Sequence, residues 1–316
     1  MNARAELNLG LIGSSVSRSL SPFIHQAFFD CTGIAGRYRL FDIAESNLAA
    51  AIAAMRDGPE AMDGINVTIP HKVAVFDFLD SCTPQARAAG AVNTVVFKEK
   101  KLEGHNTDIL GLKSSLEQTL AEKFAAGGPL DKFATDKLAI NRVAIVGTGG
   151  ASRAAVIALA EMGASHFQIF ARTKVGATSF IASLEKSIEL SQLVLPKLDC
   201  KPVALEVEDI TASAIGQCQV LINATSIGHL NNDEPQWLAP MFTLLAKDVF
   251  VQDLVYSKNS EPTVFCRLAQ EHQFENNDGK AMLVHQARFA FELFAGQLPP
   301  YEVGLKALLA ASNRSF

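Results

Sequence analysis

The chain has 316 residues, and at roughly 150 residues per domain this length predicts two domains. Hydrophobic residues make up 48% of the chain and charged residues 19%, a balance that allows a buried core and excludes a disordered protein. The formal net charge is −5, and basic residues form no long run. We therefore expect neither a nucleic acid nor an anionic membrane surface as the main partner.

Targeting and redox signals are absent from the sequence. The apolar stretch near the N-terminus is too short for a signal peptide, and no segment reaches the ~18 apolar residues that span a bilayer. The five cysteines are widely spaced and contain no CxxC pair, which predicts neither a disulfide framework nor a zinc site. We expect a cytoplasmic protein without a bound metal.

Short apolar runs alternate with helical patterns from the start of the chain, which predicts an α/β fold. Ser21 and Pro22 are typical of a helix start, with serine as the N-cap and proline in the first turn. The predicted elements of the first part are a strand at 7–13, the helix opened by Ser21, a strand at 38–43, a helix at 47–55, a strand at 64–69, an amphipathic helix containing 73–80, a hairpin at 91–106 and a helix at 111–121.

A cluster of glycine, proline and polar residues at 125–137 predicts a surface loop between the two domains. After this loop the pattern changes to strand, glycine turn, long helix and strand over 141–174. The further predicted elements are strands at 202–207, 220–223 and 249–254, and a buried helix at 281–295. The run at 184–198 contains helix formers but is not divided further.

The glycine turn follows a strand directly and precedes a helix. Its residues are Gly147, Thr148, Gly149, Gly150, Ala151 and Ser152. Glycines at such a turn let backbone N–H groups approach a pyrophosphate, whose charge the helix N-terminus favours. Ser152 replaces the third glycine of the dinucleotide-binding pattern, so the alternative is a glycine-rich turn that binds no ligand.

The next strand ends in Arg172, Thr173 and Lys174. An enzyme that prefers NAD usually carries an acidic residue at this place, which holds the ribose 2′-hydroxyl. Here the two cations favour the 2′-phosphate of NADP, which Arg172 can bind in bidentate fashion. The alternative is that both cations are solvated surface residues.

A third group of residues places amides, hydroxyls, an amine and a carboxylate near predicted strand ends. It comprises Asn66, Thr68, Lys72, Asn93, Thr94 and the segment 104–108, which includes Asp108. Singly, such residues are most often backbone caps, and a lysine beside an aspartate is often a surface salt bridge. Together they suit a small polyol, and a Lys–Asp pair can relay the proton that accompanies hydride transfer from an alcohol.

Taken together, these motifs closely resemble those of the shikimate dehydrogenases from about residue 9 to residue 300. The resemblance rests on eight motifs in the family's order, which lie at 17–22, 66–72, 90–94, 104–108, 147–153, 223–228, 253–256 and 278–286. It implies a catalytic domain formed by 1–112 and completed by the returning helices of 281–316. An NADP-binding Rossmann domain at 113–280 would lie between these segments, with the active site in the cleft between the domains.

The resemblance also implies roles for individual residues. Lys72 and Asp108 would be the catalytic pair for reversible hydride transfer between C3 of shikimate and NADP. The residues implied for the substrate are Ser19, Ser21 and Tyr256 for its carboxylate, and Thr68, Lys72, Asn93, Asp108 and Gln286 for its ring hydroxyls. Those implied for the cofactor are Gly147, Thr148, Gly149, Gly150, Ala151, Arg172, Thr173, Lys174, Thr225, Leu254 and Gly279. A monomer or a homodimer is expected.

Four positions depart from the family pattern. Arg18 stands where the family usually carries histidine, Ala171 replaces an asparagine, His229 replaces a methionine, and Pro84 stands where a carboxylate is common. The alternatives are a quinate/shikimate dehydrogenase, an aminoshikimate-type paralogue and a non-catalytic NADP- or shikimate-sensing module. Whether Lys72 carries the proton or stabilises developing charge stays open at this point.

Overall fold

A computed structural model of the chain contains two six-stranded sheets that helices cover. The residues it describes are 6–59, 61–125, 140–206, 208–228, 234–257 and 261–312. The predicted α/β fold class is therefore confirmed. Within these ranges, no helix combines the length and the hydrophobicity that crossing a membrane requires.

The first sheet is mixed. Its strands are β1 (Leu7–Gly13), β2 (Gly36–Asp42), β3 (Gly64–Val67), β4 (Ser81–Cys82), β5 (Thr94–Lys98) and β6 (Lys101–His105), in the spatial order β2-β1-β3-β5-β6-β4. β1 pairs in parallel with β2 and β3, whereas β5 runs antiparallel to β3 and β6. The ends of β1, β3 and β6 and the start of β5 therefore meet at one edge.

The second sheet is entirely parallel. Its strands are β7 (Arg142–Val146), β8 (His166–Ala171), β9 (Asp199–Ala204), β10 (Val220–Asn223), β11 (Phe250–Asp253) and β12 (Glu275–Asn277), in the order β12-β11-β10-β7-β8-β9. This is the order of a Rossmann fold. The strand order reverses between β7 and β10, where such sheets bind ligands beyond the carboxyl ends of their strands.

Helices cover both sheets. They are α1 (Ser21–Thr32), α2 (Leu48–Asp57), α3 (His71–Ala74), α4 (Pro84–Ala89), α5 (Thr107–Ala125), α6 (Gly150–Glu161), α7 (Lys174–Ser191), α8 (Ala212–Ile215), α9 (Leu238–Thr243), α10 (Val264–Glu271), α11 (Lys280–Ala295) and α12 (Tyr301–Ser312). On the first sheet, α1, α11 and α12 share a core with β1, while α2 packs against the opposite face. The C-terminal helices therefore return to the first sheet.

Helix α5 connects the two halves of the molecule. It packs against α11 and α6, and its Ile109 and Leu112 belong to the same buried cluster as the apolar residues of β7 and β8. The predicted boundary between residues 112 and 113 falls inside this helix. The domain bounds taken from the sequence stay a prediction, because a shared core gives no sharp division at this point.

Several predicted elements agree closely with the structure. The hairpin is confirmed as β5 and β6, whose turn residues Glu99 and Lys100 have positive φ values of 52° and 64°, as a two-residue hairpin turn requires. The strand at 220–223 is confirmed without change. The strand predicted at 202–207 lies at 199–204 instead, and the helix predicted at 281–295 begins one residue earlier.

Three predicted helix starts or segments were wrong in detail. Ser21 is the first residue of α1 rather than its N-cap, because the hydroxyl of Ser19 accepts the Ser21 N–H. Helix α5 begins at Thr107 rather than 111, since its first N–H bonds to the distant side chain of Asn93. The segment 73–80 is no continuous helix: α3 ends at Ala74, and a 3₁₀ turn follows at Val75–Phe78.

Other elements had no clear signal in the sequence. The short elements β4, α4, α8, α9 and β12 were missed, as were the longer helices α10 and α12. The undivided run at 184–198 contains the last turns of α7. The predicted loop at 125–137 lies outside the described residues except at its first position.

Candidate active site

A cavity of about 360 Å³ lies between the two sheets, where their strand ends face each other. The eight residues implied for substrate binding all line it: Ser19, Ser21, Thr68, Lys72, Asn93, Asp108, Tyr256 and Gln286. A second cavity at the other end of the Rossmann-type sheet, beside Arg142 and Gln217, has a volume of only about 30 Å³. The large cavity is therefore the candidate active site.

Lys72 and Asp108 form a close ion pair at this cavity. Lys72 Nζ donates to Asp108 Oδ2 over 2.6 Å, and the two side chains are 14% and 7% exposed. The other oxygen, Oδ1, accepts a hydrogen bond of 2.8 Å from Asn93 Nδ2. Lys72 lies in α3 beyond the end of β3, and Asp108 lies in the first turn of α5. The ends of β3 and β6, which β5 separates in the sheet, thus bring the predicted catalytic pair together across 36 positions of sequence.

Asn93 organises the surroundings of this ion pair. Its Oδ1 accepts the backbone N–H of Thr107 at 2.7 Å, and its Nδ2 donates to Thr107 Oγ1 at 2.9 Å as well as to Asp108. The neighbouring Thr94 hydroxyl receives a hydrogen bond of 3.0 Å from Asn66 Nδ2. These buried contacts fix the start of α5, so the Asp108 carboxylate is held by the first sheet and not only by its own helix.

Tyr38 supports the substrate side of the cavity, and sequence reasoning missed it. Its hydroxyl donates to Asn66 Oδ1 at 2.8 Å and also interacts with Ser21, while its ring stacks on His25 at 4.0 Å. Burial raises the pKa of Tyr38 and lowers that of His25 to about 3. The one available signal was a tyrosine within a predicted strand, because a buried tyrosine hydroxyl needs a partner.

Gln286 enters the cavity from α11 because α5 has a glycine opposite it. A Cβ atom at Gly111 would lie 2.8 Å from the Cβ of Gln286, so only glycine allows this helix contact. Gln286 Nε2 donates to the carbonyl of Leu283, and its Oε1 lies 3.4 Å from Asn93 Nδ2. Helix α11 therefore adds a side chain to the group that Asn93 and Asp108 form at the end of the first sheet.

The glycine turn has the geometry that a dinucleotide needs. Gly147 has a φ of +118°, and a Cβ there would approach the Ala224 carbonyl oxygen to 2.8 Å. A Cβ at Gly149, by contrast, would meet no protein atom within 4 Å, which leaves room for a phosphate beside the backbone. Helix α6 begins at Gly150, so its positive end faces the same space. The turn fits a bound pyrophosphate.

The end of β8 lies beside this turn, since Gly147 N donates to the carbonyl of Phe170. Thr173 is the N-cap of α7 and accepts the Gly176 N–H at 3.1 Å. Arg172 and Lys174 are exposed, and neither forms an ion pair with an acid among the described residues. Both cations therefore face solvent at the strand end where the sequence predicts the 2′-phosphate of NADP.

The predicted cofactor residues divide into two groups. Those that line the large cavity are Ala151, Thr225, Leu254 and Gly279. The second group follows the ends of β7 and β8 and does not line the cavity; it comprises Gly147, Thr148, Gly149, Gly150, Arg172, Thr173 and Lys174. An extended dinucleotide would pass from the second group to the first, which places its reactive end at the cavity.

A buried network beneath the cavity joins the loops after β10 and β11. Asp253 Oδ1 accepts hydrogen bonds from Asn223 Nδ2 at 2.8 Å and from Val255 N at 2.9 Å. Asn223 Oδ1 in turn accepts from the backbone and hydroxyl of Thr225. Burial raises the pKa of Asp253 to about 7, although its hydrogen bonds oppose the shift. One network thus holds Thr225 and Val255, both of which line the cavity.

Among the positions that depart from the family pattern, Arg18 is exposed and does not line the cavity. Ala171 is buried at the end of β8, and Pro84 is the first residue of α4, after the N-cap Thr83. His229 lies outside the described residues. None of the three described positions hydrogen-bonds to Lys72 or Asp108 through its side chain.

Some residues of the cavity had no substrate or cofactor role implied by the resemblance, although Asn66 was among the polar candidates. They are Leu11, Ser14, Ser15, Val16, Asn66, Val67, Ile69, Ala224, Ser226, Val255, Met282 and Leu283. Most lie within or beside a recognised motif, which is the signal that could have found them. Within the described ranges, no group of three or more His, Cys, Asp or Glu side chains is placed to hold a metal ion.

The fold and this site define a class: a two-sheet α/β dehydrogenase with a nucleotide turn on one sheet and a Lys–Asp pair on the other. The family model for the shikimate dehydrogenase substrate binding domain matches residues 11–95. The model for the shikimate 5′-dehydrogenase C-terminal domain matches residues 281–309. The first match covers β2, β3 and β4 with parts of β1 and β5, and the second covers most of the returning helices α11 and α12.

Comparisons over the whole chain give relatives and solved structures of the same kind. A shikimate dehydrogenase (NADP(+)) of Microcystis aeruginosa is 34% identical over 312 residues, which is 98% of each chain. The crystal structure of shikimate 5-dehydrogenase from Thermus thermophilus, in complex with NADP(H) and shikimate, has a TM-score of 0.74 and 28% identity over 96% of this chain and 99% of that chain. A quinate dehydrogenase from Corynebacterium glutamicum, in complex with NAD, has a TM-score of 0.76 and 26% identity over 96% and 99%.

The chain belongs to the shikimate dehydrogenase family. The predictions of this family, of an NADP-dependent oxidoreductase and of NADP as its cofactor are confirmed. The quinate alternative is not favoured, because the curated relatives at 32–34% identity are shikimate dehydrogenases (NADP(+)).

The raised pKa of Asp253 predicts a pH-dependent stability. Between about pH 4 and pH 7 the unfolded chain releases a proton that the folded chain retains on Asp253. The free energy of unfolding contributed by this group therefore falls as the pH rises through that range and is constant above it. The free energy of unfolding of Asp253→Asn, measured with urea, should therefore increase relative to that of the parent protein as the pH rises from 4 to 7. A difference between the two free energies that is the same at pH 4 and pH 7 would contradict this prediction.

Proposed function

We propose that the protein catalyses the reversible, NADP-dependent interconversion of shikimate and 3-dehydroshikimate, with Lys72 and Asp108 as the catalytic pair. This reaction belongs to the route to chorismate and the aromatic amino acids. The observation that carries the proposal is the 2.6 Å ion pair between Lys72 and Asp108 at a cavity that both sheets line.

The polar lining of the cavity suits a small polyhydroxy acid. Ser19, Ser21 and Tyr256 offer hydroxyl groups for the substrate carboxylate. Ser19 Oγ donates to Ser21 Oγ over 3.1 Å, so the two serines lie side by side. The side chains that would hold the ring hydroxyls are Thr68, Lys72, Asn93, Asp108 and Gln286. Lys72 is the one cation among the described residues of the lining, so the carboxylate end would be bound by neutral donors.

Reduction of the 3-dehydroshikimate carbonyl group needs a donor of hydride to the carbon and a donor of a proton to the oxygen. The glycine turn, Arg172 and Lys174 would hold the cofactor, which would supply the hydride in its reduced form, NADPH, and accept it in its oxidised form, NADP+. In the reductive direction, the ammonium group of Lys72 would donate a proton to the carbonyl oxygen that becomes the C3 hydroxyl. In the oxidative direction, Lys72 would take this proton back.

Asp108 would orient both Lys72 and the substrate. One of its oxygens accepts from Lys72 and the other from Asn93, and a carboxylate oxygen can accept a further hydrogen bond from a substrate hydroxyl. The ion pair is largely shielded from water, which strengthens its electrostatic effect on charge that develops at the substrate oxygen. Lys72 therefore serves as proton donor and as electrostatic stabiliser at the same atom.

The finer organisation is part of the proposal. A catalytic domain of 1–112 with 281–316 and a nucleotide domain of 113–280 would place the site at their junction. The cytoplasmic location and a monomer or homodimer stay predictions. Size-exclusion chromatography with light scattering on the purified protein distinguishes the two assembly states.

The test of the function is a steady-state comparison of shikimate and quinate, each with NADP and with NAD. We expect the highest kcat/KM for shikimate with NADP, because the curated relatives at 32–34% identity are shikimate dehydrogenases (NADP(+)) and because both proposed carboxylate-binding serines, Ser19 and Ser21, line the cavity. The measurement follows the absorbance of the reduced nicotinamide. Equal or higher kcat/KM with quinate would contradict the proposed substrate, and absence of turnover on both would contradict the proposed reaction.

Replacement of Lys72 tests the proton-transfer role. Lys72→Ala should lower kcat by at least about 100-fold, since it removes both the proton donor and the positive charge. The dissociation constant for NADPH, measured by nicotinamide fluorescence, should change little. The exposed Lys186→Ala serves as the control for a lost surface charge. Turnover close to that of the parent enzyme would refute the assignment.

Replacement of Arg172 tests the choice of cofactor. Arg172→Ala should raise the KM for NADP by about 10- to 100-fold, because a bidentate hydrogen bond to the 2′-phosphate is lost. The KM for NAD should stay nearly constant, since NAD lacks that phosphate. Lys186→Ala, on the helix that follows, is again the matched control. An equal rise in KM for NADP and for NAD would show that Arg172 does not bind the 2′-phosphate.

A further inference from the structure

The two adjacent glycines of the nucleotide turn face different neighbours. A Cβ at Gly149 would meet no protein atom within 4 Å, whereas a Cβ at Gly150 would lie 2.9 Å from the Cβ of Lys72 and 3.1 Å from its Cδ. Gly150 belongs to the second sheet's first helix, and Lys72 belongs to the first sheet. The backbone at Gly150 therefore lies directly against the stem of the proposed catalytic lysine.

This contact leaves no room for even one methyl group. Ordinary van der Waals contact between carbon atoms needs 3.4–4 Å, so an alanine at 150 would have to move Lys72 or the turn by about 0.5–1 Å. The near atom is Cβ of Lys72, which is attached to the backbone and cannot swing aside as the end of a side chain can. The strain would fall on the Lys72–Asp108 ion pair.

A second contact holds the same helix against the first half of the molecule. Arg153, one turn beyond Gly150 and only 8% exposed, donates from Nη1 to the carbonyl of Ala89 at 3.1 Å. Its Nη2 donates to Ser183 Oγ at 2.7 Å. Ala89 is the last residue of α4.

The chain beyond α4 leads straight back to Lys72. Val92 N, three residues after Ala89, donates to the carbonyl of Lys72 at 2.7 Å. Arg153 therefore fixes α6 to the segment that supports the backbone of Lys72, while Gly150 contacts its side chain. Two independent contacts of one helix converge on the same lysine.

We propose that the start of α6 has two tasks: it holds the nucleotide through Gly149, and it positions Lys72 for catalysis through Gly150 and Arg153. Gly150 is then required to be a glycine because of Lys72 rather than because of the phosphate. The inference rests on the catalytic role of Lys72 proposed above, and it makes Gly150 and Arg153 positioning residues.

The test compares Gly150→Ala with Gly149→Ala. The first readout is the rate at which an amine-reactive reagent, acetic anhydride, modifies Lys72 in the protein without nucleotide, followed by peptide mass spectrometry. Gly150→Ala should raise this rate at least fivefold, because the ion pair is disturbed, while Gly149→Ala should leave it as in the parent protein. This readout needs no turnover, so it stays decisive if the proposed reaction fails.

The second readout separates binding from catalysis. Gly150→Ala should lower kcat at saturating NADP by about 10- to 100-fold, the scale expected for a misplacement of about 1 Å. Its dissociation constant for NADPH should change less than about threefold. Gly149→Ala should instead raise that constant at least tenfold, because its methyl group occupies the space beside the phosphate. Weak nucleotide binding in Gly150→Ala with normal labelling of Lys72 would overturn the proposal.

A second pair of variants covers the case in which Gly150→Ala does not fold, as judged by circular dichroism. Arg153→Met keeps the apolar volume and removes the bond to Ala89, whereas Ser183→Ala removes only the bond within the nucleotide half. Faster labelling of Lys72 in Arg153→Met, but not in Ser183→Ala, supports the proposal. Equal labelling of Lys72 in the two variants overturns it.

Discussion

A largely buried ion pair sets the main constraint on this structure. Removing two charges from water is costly, so Lys72 and Asp108 are stable in this position only while their remaining hydrogen-bonding groups are satisfied. Asn93 meets that need for Asp108, because it bonds to this carboxylate and also to the first turn of α5. The antiparallel strand β5 presents Asn93 at the edge where β3 and β6 end. The geometry of the Lys72–Asp108 pair thus follows from the pairing of three strands in the first sheet.

The second sheet meets this pair at the point where its own strand order reverses. All its strands are parallel, so their carboxyl ends lie at one edge, and the glycine turn and the loops of Thr225 and Leu254 converge there. Asp253 ties two of these loops together through Asn223, at the cost of a buried carboxyl group with a raised pKa. The cofactor side of the cavity therefore depends on a buried network, as the substrate side does.

Much of this arrangement could be read from local patterns. The apolar alternation of the strands, the charged two-residue turn at Glu99 and Lys100, and the glycines after β7 each follow from short-range chemistry. The start of α5 could not be predicted in this way, because its cap is the side chain of Asn93, 14 positions earlier. Tyr38 was missed for a similar reason. Its hydroxyl bonds to Asn66 across the sheet, where β1 lies between the strands of the two residues, and this strand order is a property of the fold.

By itself, the sequence determined the α/β class, the glycine turn and the family, and through the family resemblance it singled out Lys72 and Asp108 as the proposed catalytic pair. These depend on residue types and short spacings, which a linear pattern retains. Only the tertiary structure decided that Gly149 faces open space while Gly150 presses against Lys72. Two neighbouring glycines are equivalent in a motif. They differ once the chain has folded, because close packing between distant segments depends on which atoms the sheets and helices bring within a few ångströms.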